Sequence, residues 1–409
     1  MSTAIITEVN TNVYFYCLFI SFIIVAWPKY TISPQSILFI YYGLWFFISP
    51  VFAERYQQLY IYDVNFSISF LLIFITLSIG LIFINLGENH SRKINESYNG
   101  SIYNKKINVK LKTIVIMYFL STIFVVFIVV YSGGLSYWLD NPGDAFLNRA
   151  GTGVFVLGSH FSSMILATLS GYYVYRTKKY FYICLFIIWL FLTSPVHGSK
   201  FQISLLLILS LIPWIKDLRA ASKGSFYLGF LLLIILFLGL YFRNTSWMTI
   251  KDIIPYTLNY FDTLDNLAIS VRDFEPSFLK SFFMPFNKFL TPIGISDPKM
   301  YYDMNHWLTD IYNPAAWSIR ATMQWPIETD MYLNFYYIFG IPLLALFFYI
   351  IGMFYGRARR KNDLGSWFVA IVITLLMISH LRGTIYNHTD FYMYPYIAAM
   401  YFFLRKYKF

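Results

Sequence analysis

Three features of this sequence predict an all-α, polytopic membrane fold. Of its 409 residues 58% are hydrophobic and only 12% charged, against about 25% charged in a soluble globular chain that must wet its surface. Apolar runs of roughly spanning length recur along it, where a bilayer-crossing helix needs about 20 residues. Aromatic residues reach 22%, with 36 Tyr and 42 Phe, which suits extensive membrane–water boundaries.

In chain order the runs cover 13–27, 36–52, 66–86, 113–131, 154–175, 181–194, 201–215, 225–242, 331–355, 366–380 and 390–404. That makes about eleven spans, with ten to twelve compatible with the pattern. Pro28, Pro195 and Pro342 mark ends or kinks, since proline lacks an N–H and clashes with the preceding turn. No Lys or Arg precedes the first apolar run, so the N-terminus does not read as a cleavable signal peptide. Both cysteines, Cys17 and Cys184, lie inside apolar runs, which rules out a disulfide framework or a CxxC metal site.

The net charge of +11 raises the question of nucleic acid, and the placement of the charges answers it. Segments 28–35, 87–112, 176–180, 216–224, 356–365 and 405–409 hold 20 of the 31 Lys and Arg but only 4 of the 20 Asp and Glu. Excess cations on alternate loops mark the cytoplasmic side, so the basic balance is a topology signal and no nucleic-acid partner is expected. The N-terminus is then expected outside and the C-terminus inside.

Residues 243–329, between an N-terminal bundle (1–242) and a C-terminal one (330–409), form a long segment on the opposite, outer face. Loops of this length in a compact protein are usually functional. Phe261, Leu264, Leu267, Ala268 and Val271 follow helical spacing with Asp262, Asp265 and Asn266 between them, and Pro255 suits that helix's first turn. Phe278 to Phe289 alternates Phe with Lys280 and Lys288, the pattern of an interfacial helix. The segment is thus expected to be a helical cap. The hairpin 181–215 is short: its residues give about 52 Å of helix for two passes through a core of about 30 Å. The link from Ser194 to Lys200, with His197, is therefore expected below the outer surface, facing protein or water.

Outer-face cations form one candidate set: Arg149, Lys200, Arg243, Arg272, Arg320 and Arg382. Each alone could be a cation snorkelling at the membrane edge; together they would suit a pyrophosphate, whose oxygens Arg binds bidentately. Candidate bases are Glu328, Asp330, His306, His197, His380 and His388. Glu328 and Asp330 stand where the long segment re-enters the membrane, where burial raises a carboxyl pKa toward the range useful for taking a proton from a hydroxyl. The competing reading is helix capping and first-turn dipole pairing. No further acidic cluster completes a metal shell, so no metal or other cofactor is expected. There is no GxxxxGK[ST], HExxH or GxSxG motif and no DxD pair of the kind used with nucleotide sugars.

The layout of spans with one large outer loop in the C-terminal half resembles bacterial O-antigen polymerases (Wzy-type, oligosaccharide repeat-unit polymerases), as do three local patterns. Arg149-Ala-Gly-Thr-Gly153 looks like the family's Arg-then-Gly outer loop, and His197-Gly-Ser-Lys-Phe201 like its Gly-Ser-Arg/Lys turn. Pro326-Ile-Glu-Thr-Asp-Met-Tyr-Leu-Asn334 followed by Phe339-Gly-Ile-Pro-Leu343 looks like the segment entering the helix after the loop. O-antigen ligases carry a His-Asn-x-Tyr-Leu pattern near this place, where Glu328-Thr-x-x-Tyr-Leu stands here. The resemblance implies a GT-C-like architecture in the bacterial inner membrane with a site facing the periplasm. The implied reaction joins undecaprenyl-diphosphate-linked oligosaccharide repeat units and releases the lipid diphosphate, with a chain-length-regulating co-polymerase and membrane lipid as partners. Arg149, Lys200, Arg243 and Arg320 would hold the pyrophosphate, with Arg272, His197 and Asp330 as further substrate-binding residues. Glu328 would serve as base and His306 as its reserve. A flippase or transporter of lipid-linked oligosaccharide, or an O-antigen ligase, is the alternative.

Overall fold

The computed structural model describes residues 2–48, 63–93, 109–147, 149, 151–197, 200–243, 249–261, 263–290, 300–318 and 322–409. Among them every regular element is helical, with only three isolated β-bridges. In chain order the helices are α1 (Ser2–Val25), α2 (Pro34–Tyr42, continued by a π-turn at Gly43–Ile48), α3 (Asp63–Lys93), α4 (Leu111–Tyr131), α5 (Gly134–Asp140), α6 (Pro142–Leu147), α7 (Gly153–Thr177), α8 (Phe181–His197), α9 (Lys200–Ile215), α10 (Lys223–Arg243), α11 (Ile253–Phe261), α12 (Leu264–Asp273), α13 (Asn287–Leu290), α14 (Met304–Tyr312), α15 (Pro314–Ser318), α16 (Ile327–Phe335), α17 (Ile341–Lys361), α18 (Leu364–Leu381) and α19 (Asp390–Leu404).

Five stretches are long and apolar enough to cross a bilayer: Val64–Ser91, Leu111–Tyr131, Gly153–Thr177, Ile338–Lys361 and Leu364–Leu381. Five more are apolar but shorter: Val13–Val25, Pro34–Ile48, Phe181–His197, Phe201–Ile215 and Lys223–Phe237. Large apolar side chains point outward along them, such as Val115, Phe119 and Val130 on α4 and Ile188, Phe191 and Leu192 on α8. A surface of that kind aggregates in water and is stable against lipid. The chain is a helical membrane protein.

Local signals set the helix ends. Ser33 accepts from the Ser36 N–H ahead of Pro34 at the first turn of α2, and Asp363 caps α18 by accepting from the Ser366 N–H at 2.8 Å, each satisfying a donor the helix leaves free. Asn362 closes α17 in the left-handed region. α3 and α17 form the most extensive helix pair. They approach so closely that a Cβ on Gly87 would sit 2.1 Å from the Tyr349 carbonyl oxygen, and one on Gly352 equally close to that of Ile84. Small residues that let backbones meet drive helix association where lipid removes the hydrophobic incentive. On the basic side, Tyr172 donates to the Lys408 carbonyl (2.7 Å) and Arg359 to that of Lys216 (2.7 Å), tying the C-terminus and the α9–α10 link to the bundle.

The segment between the bundles departs from expectation in two ways. The helix expected across residue 261 is two helices, α11 and α12, with Pro255 in the first turn of α11 and Thr263 as the N-cap of α12. Asp265 and Asn266, which the spacing sets between the apolar positions, are buried together with Leu264 and Leu267, because α12 packs against α3 and Asn266 Nδ2 donates to the Gln324 carbonyl at 2.7 Å. Phe278 to Phe289 is not an interfacial helix. Its N–H groups are taken elsewhere: Ser277 and Leu279 donate to Tyr332 and Asn334 carbonyls, Phe278 bridges Phe335, and Ser281 N donates to Asn334 Oδ1 at 2.7 Å. Only the short α13 forms beyond Pro285.

The expected run at 331–355 is also divided. α16 ends at Phe335, and Tyr336 and Tyr337 take positive φ of 49° and 58° before α17 begins. That break turns α16 into a separate, buried helix at the seat of the cap.

Candidate functional site

α16 brings both candidate carboxylates into the protein. Pro326 precedes it in extended conformation, as residues outside a helix start do, and Glu328 and Asp330 fall in its first turn. Glu328 has no exposed surface and Asp330 almost none. Glu328 Oε1 accepts from the Tyr42 hydroxyl of α2 at 2.6 Å, while its Oε2 has no hydrogen-bond partner among the described residues. Asp330 Oδ1 accepts from Asn334 Nδ2 (2.7 Å) and Oδ2 from the Ile385 N–H (3.1 Å).

Burial disfavours the ionised form of each. It lifts the Glu328 carboxyl from 4.5 to about 7 against the opposing pull of the Tyr42 hydroxyl, the backbone and Thr76. It lifts Asp330 from 3.8 to about 7 against the Ile385 N–H, Asn334 and His380. A carboxyl poised near neutrality can both take and return a proton at working pH.

Around this pair the cap and the spanning helices meet in a polar seam. The Tyr41 hydroxyl donates to the Leu381 carbonyl (2.6 Å). Arg382 Nε donates to Gln324 Oε1 (2.5 Å), and its guanidinium lies over the Trp45 ring at 5.6 Å. Asn305 donates to the Arg382 carbonyl (3.0 Å) and accepts from the Trp325 N–H (2.9 Å). Gln324 is thus held by α12 through its backbone and by Arg382 through its side chain. His380 contributes from α18, with Nε2 3.2 Å from the Tyr394 hydroxyl and 3.4 Å from Asp390 Oδ1.

Arg149 belongs to a second cluster. Its Nε donates to the Phe146 carbonyl (2.8 Å) and Nη1 to that of Val196 (3.1 Å), with the Phe146 ring 3.7 Å away. Electrostatic coupling joins it to His160 and His197, and neither ring nitrogen of the buried His197 has a hydrogen-bond partner among the described residues. His197 of the α8–α9 link is buried within the protein. Gly198 and Ser199 of that motif lie outside the described residues.

The remaining candidates disperse. Arg272 is clamped by Asp273 through Nε–Oδ1 (2.6 Å) and Nη2–Oδ2 (2.9 Å), and Tyr312 donates to the same carboxylate. Arg272 is therefore committed within the cap. His306 accepts from the Tyr302 N–H through Nδ1 (3.2 Å), its own N–H is capped by Asp303 (2.8 Å), and its ring packs on Trp317. His388 neighbours it electrostatically, and burial lowers its pKa. Lys200 begins α9 and Arg243 ends α10, their side chains lying outside the described residues, as does Arg320 altogether. No group of three or more His, Cys, Asp or Glu among the described residues has an arrangement able to hold a metal ion.

Two participants are absent from the sequence-derived candidates. Tyr42 is one of 36 tyrosines and carries no local signal. His160 does carry one, since an ionisable residue inside an apolar run is itself a functional pointer. Compared with known proteins, the chain matches no family model, no curated protein and no solved structure.

Proposed function

We propose that this protein is an outer-face membrane glycosyltransferase of the O-antigen polymerase kind, joining oligosaccharide repeat units carried on undecaprenyl diphosphate. The observation that carries the reading is Glu328: a carboxyl whose pKa burial lifts to about 7 against the pull of its hydrogen bond from Tyr42, on a short helix at the seam between cap and spanning helices. In this reading about eleven spans hold a GT-C-like bundle in the inner membrane, and the cap covers the periplasmic end. Glu328 takes the proton from the attacking hydroxyl of the acceptor sugar. The hydroxyl oxygen bonds to the anomeric carbon of the donor, the bond from that carbon to the diphosphate oxygen breaks, and lipid diphosphate leaves. Glu328 is closed off by Tyr42 and α16, so admission of the acceptor requires the seam to open. Arg149, beside His160 and His197, with Lys200, Arg243 and Arg320, neutralises the leaving diphosphate, a task suited to Arg forks fixed before the reaction. Positive-inside sidedness supports placing this chemistry away from the cytoplasm.

Deleting the gene in its host and separating surface lipopolysaccharide by electrophoresis tests the reading. Core carrying a single repeat unit without a ladder is the expected result. Loss of that single unit as well would reject it in favour of a transporter or ligase, a reading that His160 inside α7 favours, because transport pathways place ionisable groups within spans. An undiminished ladder rejects all of these.

A further inference from the structure

The C-terminal bundle contains a cleft of about 660 Å³ between α17, α18 and α19. Its walls are apolar over most of their length, with Phe347, Phe354, Ile373, Ile397 and Ala398 among them. Its rim carries Ile350 and Phe402, which are 36% and 61% exposed and so face the membrane. One end is different. There Arg357, Lys361 and Arg405 converge, on the side that holds most of the chain's cations.

These cations are not committed to acids. None of the three is in an ion pair with a described residue. Asp363, the nearest carboxylate in sequence, is occupied by the Ser366 N–H and hydroxyl at the start of α18. Arg357 Nη2 and Lys361 Nζ both donate to the Tyr401 hydroxyl (3.0 and 3.2 Å), which gathers them at one point. The Arg357 Nε is buried without a hydrogen-bond partner. Two gathered cations with a donor in reserve form an anion site at the mouth of an apolar slot.

The length of the slot identifies its occupant. From Tyr394 to Arg405 the wall formed by α19 rises about 16 Å, close to the roughly 15 Å of one leaflet's hydrocarbon. We infer that this cleft binds an anionic phospholipid of the basic-side leaflet, with its phosphate on Arg357, Lys361 and Arg405 and an acyl chain lying along α17 and α19 toward Tyr394. Basic pockets between spanning helices on the cytoplasmic side recognise acidic headgroups in this way. The cationic end of the cleft is distinct from the Glu328 seam, which the far, apolar end meets at Tyr394 through its hydrogen bond with His380, and the assignment does not depend on the polymerase reading.

Native mass spectrometry and thermal unfolding of the full-length purified protein test this, with phosphatidylglycerol, phosphatidylcholine or inorganic phosphate added. Phosphatidylglycerol should bind about tenfold or more tightly than phosphatidylcholine, and the Arg357→Gln/Lys361→Gln double variant should lose that preference. Ala398→Phe, which fills the slot and leaves the cations in place, should weaken binding of the same lipid by a similar factor. Lys178→Gln/Lys179→Gln, two basic-side cations outside the cleft, should leave it unchanged. Equal binding of the two lipids, unaltered binding in both cleft variants, or an equal loss in the control would overturn the assignment. Stabilisation by inorganic phosphate as large as that by the lipid would reduce the site to an ion site and overturn it too.

Discussion

The Tyr42 hydroxyl lies 2.6 Å from Glu328 Oε1, joining side chains 286 positions apart in sequence with both residues fully buried. The bond favours the ionised carboxyl, while burial opposes it. Tyr42→Phe should therefore push the Glu328 pKa above about 7 and shift the pH–rate profile of repeat-unit polymerisation upward. Stability should fall by about 1–3 kcal/mol where Glu328 is ionised and by less where it is protonated. A profile that stays in place while activity falls would assign Tyr42 a packing role only.

Glu328 itself gives a prediction of opposite sign for stability and activity. Its folded pKa of about 7 stands above the ordinary 4.5, so the native state favours the proton. That contribution is fully present below about pH 4.5 and is lost as pH rises through about 7. Glu328→Gln, permanently neutral, should match the parent at pH 4.5 and exceed it in stability above pH 7 by up to about 3 kcal/mol. The same variant should lose polymerisation by about a hundredfold or more, whereas parent activity should rise with pH through about 7. Melting curves across pH in detergent, together with polymer formation in proteoliposomes, measure both. An active Glu328→Gln protein removes the carboxyl from the chemistry.

The sequence reveals the membrane helices more fully than it reveals the site. Runs at 113–131, 154–175 and 366–380 fall within α4, α7 and α18 and stop within two residues of their ends, because lipid selects for continuous apolar surface that a single strand of sequence displays. Glu328 and Asp330 are visible for the complementary reason: carboxylates beside an apolar run are conspicuous. Their environment is not visible. Asp265 and Asn266 stand between apolar positions in the sequence, and helical periodicity records which residues share a face and not what lies against it; Gln324, the partner of Asn266, stands 58 residues away. The break at Tyr336–Tyr337 falls just before Pro342, which the sequence marks as an end or kink and which stands in the first turn of α17; what the sequence does not show is its support from outside, by the Tyr337 hydroxyl donating to the Leu72 carbonyl at 2.6 Å.

Arg149 separates a scaffold from a ligand site. It spans Phe146 and Val196 carbonyls, geometry that a Lys cannot reproduce because it lacks the planar fork. With a diphosphate role, Arg149→Ala should raise KM for the lipid-linked donor by about tenfold or more, and Arg149→Lys should recover part of that through its charge. With a purely structural role both variants should lose thermal stability alike while KM stays unchanged. Steady-state kinetics in proteoliposomes beside thermal unfolding distinguish the two.

The close approach of α3 and α17 links packing to the site. Gly352 leaves no room for a Cβ beside the Ile84 carbonyl, whereas Gly229 on α10 has nothing within 4 Å of where one would stand. Gly352→Ala should force the helices apart and destabilise the protein by about 1–3 kcal/mol. Gly229→Ala should be neutral or stabilise by up to about 1 kcal/mol, because alanine is the better helix former. The separation reaches further than stability. α3 carries Thr76, whose hydroxyl lies 2.8 Å from that of Tyr337 and helps to hold the Glu328 carboxyl down. Gly352→Ala should therefore also raise the pH inflection of activity, while Gly229→Ala leaves it in place. An unchanged inflection in a destabilised Gly352→Ala protein would show that the seam does not sense the spacing of these two helices.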